Sequence, residues 1–347
     1  MSVWLVLLLG QAFGLSFNRY DDVLKGVHNR PVVGILSLPT DIIPGYESSS
    51  SYIAASYVKH IESAGLRVTP ILFNYTTEEI DFLLERVNGV VLTGDALSLP
   101  FLEDSSEEWK EYIAKVEHIF DKVVEMNEQG NYFPLMGTSL GFAAVHVSKG
   151  GKYIVKESEG LNYASNVFFT DHAPNSKLFK NADPKMIYFM RNYNVTFQNH
   201  AYGVHPMTFQ NNQALKDLFK VIVLALDKKG DPYVAITEGI KHPLYTVMFH
   251  PEKPAYEWKS CMDYPHDILA IEVGQYFATF FATEARKSSN SFEDFSEFSE
   301  YSIYNHPLIH IHQPFDIGDQ DPIPVVEFPL IQCRQPRRKP RIVDQNM

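Results

Sequence analysis

The residues best suited to chemistry are a serine between two glycines and a histidine followed by proline and glutamate. The first group is Gly137-Thr138-Ser139-Leu140-Gly141, directly after a short apolar run. Gly-x-Ser-x-Gly at the end of a strand is typical of a nucleophile elbow, a sharp strand-to-helix turn that lifts one side chain above a sheet. The glycines allow a positive φ or a close backbone approach. Alone the pattern is weak, because a serine between two glycines is more often a plain loop.

The second group is His250-Pro251-Glu252, at the end of the apolar run 244–249. A histidine placed there can take a proton from a nucleophile on a neighbouring strand end, while a carboxylate orients its ring. Taken alone, the tripeptide is more simply a His-Pro turn with a solvated glutamate. Together the two groups predict that Ser139, His250 and Glu252 form a catalytic site for nucleophilic attack.

These groups can meet only if strands and helices alternate along the chain. The predicted strands cover 32–37, 68–73, 90–92, 132–136, 153–155, 221–224, 233–236 and 244–249, and the predicted helices cover 52–64, 77–87, 107–128 and 268–286. Alternation with crossovers of this length indicates an α/β fold with a mostly parallel sheet flanked by helices. Ligands of open sheets bind beyond the carboxyl ends of the strands, where Gly94 and Ser139 lie.

Composition excludes some classes of function. A net charge of −12 over 347 residues argues against nucleic acid as a partner. The apolar run Val3–Leu9 is too short to span a membrane, and small residues near Gly14 suit signal-peptidase cleavage, so residues 1–14 are predicted to be a secretory signal peptide. Two glycosylation sequons, at Asn74 and Asn194, are consistent with that route.

The cysteines and the C-terminal extension leave alternatives open. Cys261 and Cys333 can pair in an oxidising compartment, but the sequence does not place them together. Residues 288–347 are expected to form a poorly packed extension outside the domain. Within them three phenylalanines lie three residues apart, and they fit either one face of a short docking helix or a disordered segment: Phe292, Phe295 and Phe298.

No cofactor and no metal are predicted. Three histidines of the extension, His306, His310 and His312, match no helical or finger spacing and have no cysteine nearby. The pair His200 and His205 is better explained as substrate-facing or merely polar. The basic run 337–341 is too short to indicate nucleic acid and fits a processing site or a contact with an acidic surface.

Several longer motifs resemble one enzyme family, the gamma-glutamyl hydrolases, from about residue 31 to residue 287. The motifs are Tyr52-Ile53-Ala54-Ala55-Ser56-Tyr57-Val58-Lys59, Glu62-Ser63-Ala64-Gly65, Tyr132-Phe133-Pro134, Gly137-Thr138, Phe249-His250-Pro251-Glu252-Lys253, Tyr256-Glu257-Trp258 and Glu284-Ala285-Arg286-Lys287. The resemblance implies a class I glutamine amidotransferase-like fold (a flavodoxin-like three-layer arrangement) over 30–287, and a secreted or lysosomal location. It also implies cleavage of gamma-linked glutamate chains of folylpolyglutamates by a Cys thiolate, a His and a Glu.

The resemblance assigns roles to matching positions. His250 is implied to be the base, Glu252 its orienting carboxylate, and His200 a residue near the substrate. The loop at Gly94 and Asp95 and the residue after the nucleophile, Leu140, are implied to build the oxyanion and substrate-binding region.

Three positions depart from the family pattern. Ser139 stands where the family has the nucleophilic Cys, Asp95 where it usually has a second Gly, and Ala143 where it commonly has Glu. A Ser hydroxyl is not held ionised as a thiolate is, so its proton must be removed during attack. Asp95 restricts φ and places a carboxylate near the developing negative charge.

Three hypotheses follow. The first is a homologue that binds gamma-glutamyl chains, as a small peptide or a folylpolyglutamate, with hydrolysis weakened or lost. The second is an active Ser–His–Glu gamma-glutamyl peptidase, because a triad of that kind is known on this general fold in the dipeptidase E family. The third is a non-catalytic extracellular interaction protein that uses the extension. A homodimer is left open in each case.

Overall fold

A central mixed sheet of eight strands organises the molecule. The structure is a computed structural model that describes residues 29–39, 51–94, 107–313 and 326–333. Its strands are β1 Val32–Leu36, β2 Leu38–Pro39, β3 Ser51–Ala54, β4 Arg67–Ile71, β5 Val90–Leu92, β6 Leu135–Thr138, β7 Val155–Ser165, β8 Phe168–Phe169, β9 Thr196–Val204, β10 Phe219–Leu226, β11 Pro232–Gly239, β12 Leu244–Val247, β13 Leu308–Gln313 and β14 Val326–Cys333. Its helices are α1 Ala55–Ser63, α2 Thr77–Leu84, α3 Glu107–Glu128, α4 Leu140–Gly150, α5 Pro184–Asn192, α6 Pro206–Asn211, α7 Gln213–Leu218, α8 Lys253–Tyr256, α9 Ile268–Ala285 and α10 Phe295–Glu300.

The sheet has the order β4-β1-β5-β6-β12-β11-β10-β8. Its first five strands are parallel, and β11, β10 and β8 continue it in antiparallel fashion. The parallel strands are short, uncharged apart from Arg67 at one end, and buried, as expected for strands covered on both faces. The predicted mostly parallel α/β sheet is therefore confirmed.

Helices cover both faces of the sheet and enclose the core. Helices α1 and α9 pack together on one face. Helices α3 and α4 pack together on the other, where His146 of α4 contacts Thr237 of β11. Helix α2 begins at a capping box in which Thr76 and Glu79 satisfy each other's backbone N–H groups. This arrangement brings the carboxyl ends of β5, β6 and β12 to one edge of the sheet.

Several element boundaries differ from the sequence expectation. The helix expected from Tyr52 begins at Ala55, because Ser51–Ala54 is a strand that pairs with β2 and β14. The strand expected over 153–155 begins only at Val155, and Lys152–Ile154 is a 3-10 turn. The strand expected over 132–136 lies later, at Leu135–Thr138, so it runs directly into Ser139.

The first part of the C-terminal extension packs against the domain, unlike the poorly packed extension expected for 288–347. Four of its residues are buried and belong to the main apolar cluster: Phe292, Phe298, Tyr301 and Ile303. Phe295–Glu300 forms the short helix α10. The structure therefore agrees with a docking helix and not with a disordered segment. The rings of Phe292 and Phe298 are buried in the apolar cluster, while Phe295 is 72% exposed.

Other expectations concern residues outside those described. The described residues do not include the predicted signal peptide 1–14, Asp95 or the basic run 337–341. Cys261 carries a free thiol. Among the helices of the described ranges, none has both the length and the apolar character needed to cross a bilayer.

Candidate active site

Ser139 lies at the sharp turn between β6 and α4. Its backbone has φ 53° and ψ −107°, a conformation with positive φ that residues with a Cβ rarely adopt. Such backbone conformations concentrate at functional sites, where the surrounding structure holds them. The flanking glycines were expected to supply a positive φ or a close approach, but the positive φ belongs to Ser139 itself.

The glycines allow close packing instead. A Cβ on Gly141 would lie 2.1 Å from the carbonyl oxygen of Leu92, so α4 sits against the end of β5 only because residue 141 has no side chain. A Cβ on Gly94 would lie 2.4 Å from Cβ of Ser139. Gly94 therefore lies directly against the elbow, as its position after a neighbouring strand predicted.

His250 and Glu252 form a buried pair just beyond β12. His250 Nδ1 lies 2.8 Å from Glu252 Oε1, and the side chains are 2% and 0% exposed. Because a carboxylate only accepts, the proton of this hydrogen bond is assigned to His250 Nδ1, which leaves Nε2 with a lone pair. This is the tautomer that a general base needs.

The charge on Glu252 is maintained despite its burial. Burial acts to raise the pKa of Glu252, but the electrostatic effect of His250, the hydrogen bond to it and the charge of Lys253 outweigh burial, so the pKa is lowered. Glu252 is therefore a carboxylate at neutral pH, and it can stabilise an imidazolium formed on His250.

Backbone pairing places the elbow beside the His250 turn. Strands β6 and β12 are parallel neighbours, and the N–H of Ser139 donates to the carbonyl of Val247 at 2.8 Å. His250 follows Val247 by three residues. Among the described residues no hydrogen bond joins the Ser139 hydroxyl to His250, as is common before substrate tightens a site.

Tyr57 of α1 links the two sides of this site. Its hydroxyl accepts the N–H of Gly94 at 2.9 Å and lies 3.3 Å from His250 Nδ1. In the sequence Tyr57 stands out only as part of one motif of the family resemblance. A buried phenol needs a polar partner, and that requirement was the signal available in the sequence.

The oxyanion region is described only in part. The N–H of Leu140 lies in the first turn of α4, where it has no intrahelical acceptor, and a Cβ on Gly94 would lie 3.0 Å from it. The N–H of Gly94 is already bonded to Tyr57. Asp95 lies outside the described residues.

His200 lies on β9 with its ring against the neighbouring strand. A Cβ on Gly160 of β7 would lie 2.3 to 2.6 Å from three ring atoms of His200. The ring of Tyr233 packs edge-on against the His200 ring, with 4.6 Å between the ring centroids. Neither ring nitrogen has a hydrogen-bond partner among the described residues. Burial, together with the nearby His250, lowers the pKa of His200 to about 4, so the ring is neutral at pH 7. His205, by contrast, caps α6.

A second buried ion pair lies beside the first and was not foreseen. Lys253 Nζ lies 2.8 Å from Glu257 Oε1, with side chains 1% and 5% exposed. Ser56 and Tyr264 also donate to Glu257. Burial acts to raise the pKa of Glu257, but Lys253 and the donors lower it to about 2. Lysine and glutamate four apart was the only sequence signal, and on a surface helix the same spacing is common.

The remaining predicted positions are separate from this cluster. Asn74 and Asn194 are exposed on loops. Within the described ranges no three His, Cys, Asp or Glu side chains come together as a metal-binding group.

Comparison with known proteins agrees with this geometry. The model of the peptidase C26 family matches residues 31–252. Gamma-glutamyl hydrolase B of Dictyostelium discoideum is 33% identical over 285 residues, which cover 82% of this chain and 80% of that protein. Human gamma-glutamyl hydrolase is 31% identical over 302 residues, covering 86% of this chain and 90% of that protein.

Among solved structures, a glutamine amidotransferase from Thermotoga maritima aligns over 65% of this chain and 77% of its own, at 14% identity and a TM-score of 0.36. That score is too low to support an argument. The family match spans the elbow, the His250 turn and the strands that carry both. This chain belongs to the peptidase C26 family, that of the gamma-glutamyl hydrolases.

Proposed function

We propose that this chain binds gamma-linked glutamate chains, such as those of folylpolyglutamates, at the carboxyl ends of β6 and β12, and that its hydrolysis of them is weakened or lost. The observation that carries the proposal is the buried His250–Glu252 pair beside a strained elbow whose side chain is a hydroxyl. The relatives named above are gamma-glutamyl hydrolases, which supports the substrate class.

The chemistry that these residues support is acyl transfer. Ser139 Oγ attacks the carbonyl carbon of the gamma-amide while His250 Nε2 takes its proton. The N–H of Leu140 donates to the oxyanion. Collapse of the tetrahedral intermediate breaks the C–N bond, His250 returns the proton to the leaving amine, and water then hydrolyses the ester by the reverse sequence of proton transfers.

Two features weaken these steps. An imidazole placed for a larger sulfur atom is displaced relative to oxygen, and a displacement of about 1 Å costs roughly a hundredfold in rate. The family resemblance implies that Asp95 stands in the oxyanion loop, where a carboxylate would oppose the charge that must develop, and losing one oxyanion donor costs about 10²–10³ in kcat. A cleft can bind its ligand without overcoming either cost.

The strained backbone of Ser139 favours a second candidate, an active Ser–His–Glu gamma-glutamyl peptidase. A positive φ at the nucleophile is the feature expected of a working elbow. The test is the rate of glutamate release from a folate with a gamma-linked chain, by wild type, Ser139→Cys and Ser139→Ala.

We expect Ser139→Cys to be at least about a hundredfold faster than wild type and Ser139→Ala to be inactive, with all three proteins binding the substrate in calorimetry. Wild type as fast as Ser139→Cys would establish the second candidate. Failure of Ser139→Ala to bind would remove the substrate assignment.

We further propose that the domain covering 30–287 is secreted or lysosomal through the leader 1–14, and that Asn74 and Asn194 are glycosylated. The exposure of both asparagines supports this. Secretion of the full chain from cultured cells, with the mature N-terminus read by sequencing, tests the leader.

A further inference from the structure

Residues 158–162 of β7 lie against the ring of His200, and we call them the cover segment. Gly160 pairs with His200 across β7 and β9, and a Cβ on it would lie 2.3 to 2.6 Å from three ring atoms of His200. The absence of a side chain therefore lets the backbone of the cover segment pack directly on the imidazole. His200 is 6% exposed.

The pairing of β7 with β9 is irregular on both sides of this contact. Glu157 and Gly160 are three residues apart on β7, but their partners Tyr202 and His200 are two apart on β9. The step from Gly160 to Tyr163 is also three residues long and is again opposed by two residues of β9. β7 therefore carries one extra residue on each side of Gly160. Bulges of this kind bend a strand and re-aim its side chains, and the residues they leave out of the ladder need other partners.

Asp227, in the turn between β10 and β11, holds the first part of the cover segment. Its Oδ2 accepts the N–H of Glu159 at 2.9 Å and the hydroxyl of Ser158 at 3.2 Å. Its Oδ1 accepts the N–H groups of Lys229 and Asp231, which fixes the turn. Burial acts to raise the pKa of Asp227, but the backbone N–H donors outweigh burial and lower it, so the carboxylate is charged at neutral pH.

Asn162 holds the other end of the cover segment. Its backbone has φ 46°, and its N–H donates to Asn199 Oδ1 at 3.3 Å. Its side chain donates to the carbonyl of Cys261 at 3.3 Å and accepts the N–H of Asp263 at 2.7 Å. Gly160 thus lies between two anchored points, and the backbone that packs on the imidazole is held from both sides.

The strand that carries His200 also contacts the His250 turn. The N–H of His250 donates to the carbonyl of Phe197 on β9 at 2.9 Å, and the rings of Phe197 and His250 lie 6.3 Å apart. His200 follows Phe197 by three residues. Burial is the main cause of the low pKa of His200; His250 lowers it further, whereas Asp227 acts to raise it.

We propose that Asp227 is a positioning residue that clamps the cover segment, so that Gly160 holds the His200 ring in place beside the catalytic turn. The link from the carboxylate to the ring is the backbone of residues 158–160. The clamp itself does not depend on turnover. Its consequence for the substrate rests on the proposed function, in which His200 lies near the bound glutamate chain.

The test is NMR of the His200 Cε1–H, assigned by its loss in His200→Gln and followed from about pH 7.5 to about pH 5.5. The pKa of His200 is about 4, so the wild-type resonance stays in place over this range. In Asp227→Ala the cover segment loosens and water reaches the ring, so we expect the resonance to titrate near the ordinary pKa of about 6.5. Loss of the Asp227 charge alone would lower the pKa of His200, so the direction separates the clamp from the charge.

Asp231→Ala removes a carboxylate from an exposed position of the same turn and keeps its backbone, so this matched control leaves the resonance in place. Gly160→Ala keeps Asp227 but drives a Cβ against the ring, so His200 should titrate in this variant as well. It tests the same contact if thermal unfolding shows that Asp227→Ala does not fold. A resonance that stays in place in either folded variant, or that moves as far in Asp231→Ala, overturns the proposal.

Substrate kinetics give a separate readout in the Ser139→Cys background. We expect Asp227→Ala to raise KM for the gamma-glutamyl substrate about tenfold with a smaller change in kcat, because a contact with the bound chain is loosened. An unchanged KM in a variant whose His200 titrates would overturn the consequence for the substrate. Absence of hydrolysis by the Ser139→Cys parent would count against the proposed function, and the NMR result would still decide the clamp.

Discussion

The single residue on which the chemistry depends is Ser139, and contacts with neighbouring residues hold both its backbone and its side chain in place. Its N–H is bonded to Val247, and Gly94 lies against its side chain. A non-glycine residue held at positive φ costs about 1–3 kcal/mol, which the surrounding contacts must offset. The elbow is therefore preserved in geometry although its side chain is a hydroxyl, and this favours retention of the binding cleft.

Glu252 is expected to control turnover through the tautomer of His250. In the Ser139→Cys background, Glu252→Gln replaces an acceptor with an amide that can present its NH₂ group to Nδ1, which favours the wrong tautomer. We expect a fall in kcat of about 10³–10⁴. The measurement is steady-state hydrolysis of the gamma-glutamyl substrate.

Glu272→Gln, which removes a charge from an exposed position of α9, is the control and should leave kcat unchanged. Equal rates for Glu252→Gln and its parent would show that the His250–Glu252 hydrogen bond does not orient the base.

The glycosylation sites are also best tested at single residues. Asn74→Gln and Asn194→Gln should each remove one glycan, seen as a faster-migrating band of the secreted protein. The threonines of the sequons are poor targets for this test. Thr76 caps α2, and Thr196 is 1% exposed and donates to the carbonyl of Ser165. Unchanged migration of both asparagine variants, with or without glycosidase, would refute glycosylation.

At the scale of elements, the junction of β5 with α4 sets the position of the elbow. Gly141→Ala would drive a Cβ to within 2.1 Å of the Leu92 carbonyl, so α4 must move away from β5. We expect a loss of about 1–3 kcal/mol in the free energy of unfolding, measured in urea, together with loss of substrate binding.

Gly130→Ala serves as the comparison for that variant. Gly130 has φ +86° with open space around it, so alanine there adds backbone strain of about 1 kcal/mol without touching the site. Stability should fall while binding remains. Full binding by Gly141→Ala would show that the contact with β5 does not position Ser139.

The elements show what the sequence could and could not predict. Helix α3 was predicted with its observed bounds, because its apolar residues keep helical spacing through 22 residues. The two-stranded antiparallel sheet of β7 and β9 was missed: β7 reads Val-Lys-Glu-Ser-Glu-Gly and buries little, so periodicity gave no signal. β3 was read as the start of a helix from Tyr52, because its pairing partners β2 and β14 lie outside that stretch; Ile53, for example, pairs with Ile331.

The same limit applies to the site. Ser139, His250 and Glu252 were singled out from the sequence because their neighbours carry a local pattern of glycines and proline. Tyr57 was not, since it meets Gly94 and His250 from a distant part of the chain. The Lys253–Glu257 pair was not, since its burial depends on packing against other elements, among them α1, whose Ser56 donates to Glu257. Local sequence patterns identify a turn that can do chemistry. The hydroxyl of Tyr57 and the carboxylate of Glu257 come to lie beside that turn only through the packing of the folded sheet and helices.

At the scale of the whole molecule, the first part of the C-terminal extension completes the core. Arg67 lies over the ring of Phe298 at 4.3 Å, and Arg86 binds Glu297 at 2.9 Å. Phe298→Ala should reduce the free energy of unfolding by about 3 kcal/mol, because a buried ring leaves a cavity. Phe295→Ala, on the same helix but 72% exposed, should change it by less than about 0.5 kcal/mol. Equal effects in urea unfolding would show that α10 does not dock.

Stability should also fall as the solution becomes acidic, because three histidines are buried in the neutral form. The pKa values of His60, His146 and His200 are lowered by burial from 6.5 to about 4. The unfolded chain therefore takes up protons that the folded protein refuses between about pH 6.5 and pH 4, so the stabilisation is complete above that window and is lost on descending through it. Urea unfolding across the window should show a loss of several kcal/mol. His146→Phe should flatten this dependence, whereas His172→Gln, at an exposed position, should not. Stability that holds or rises on acidification would contradict this prediction, because it would mean that these rings take up protons in the folded protein.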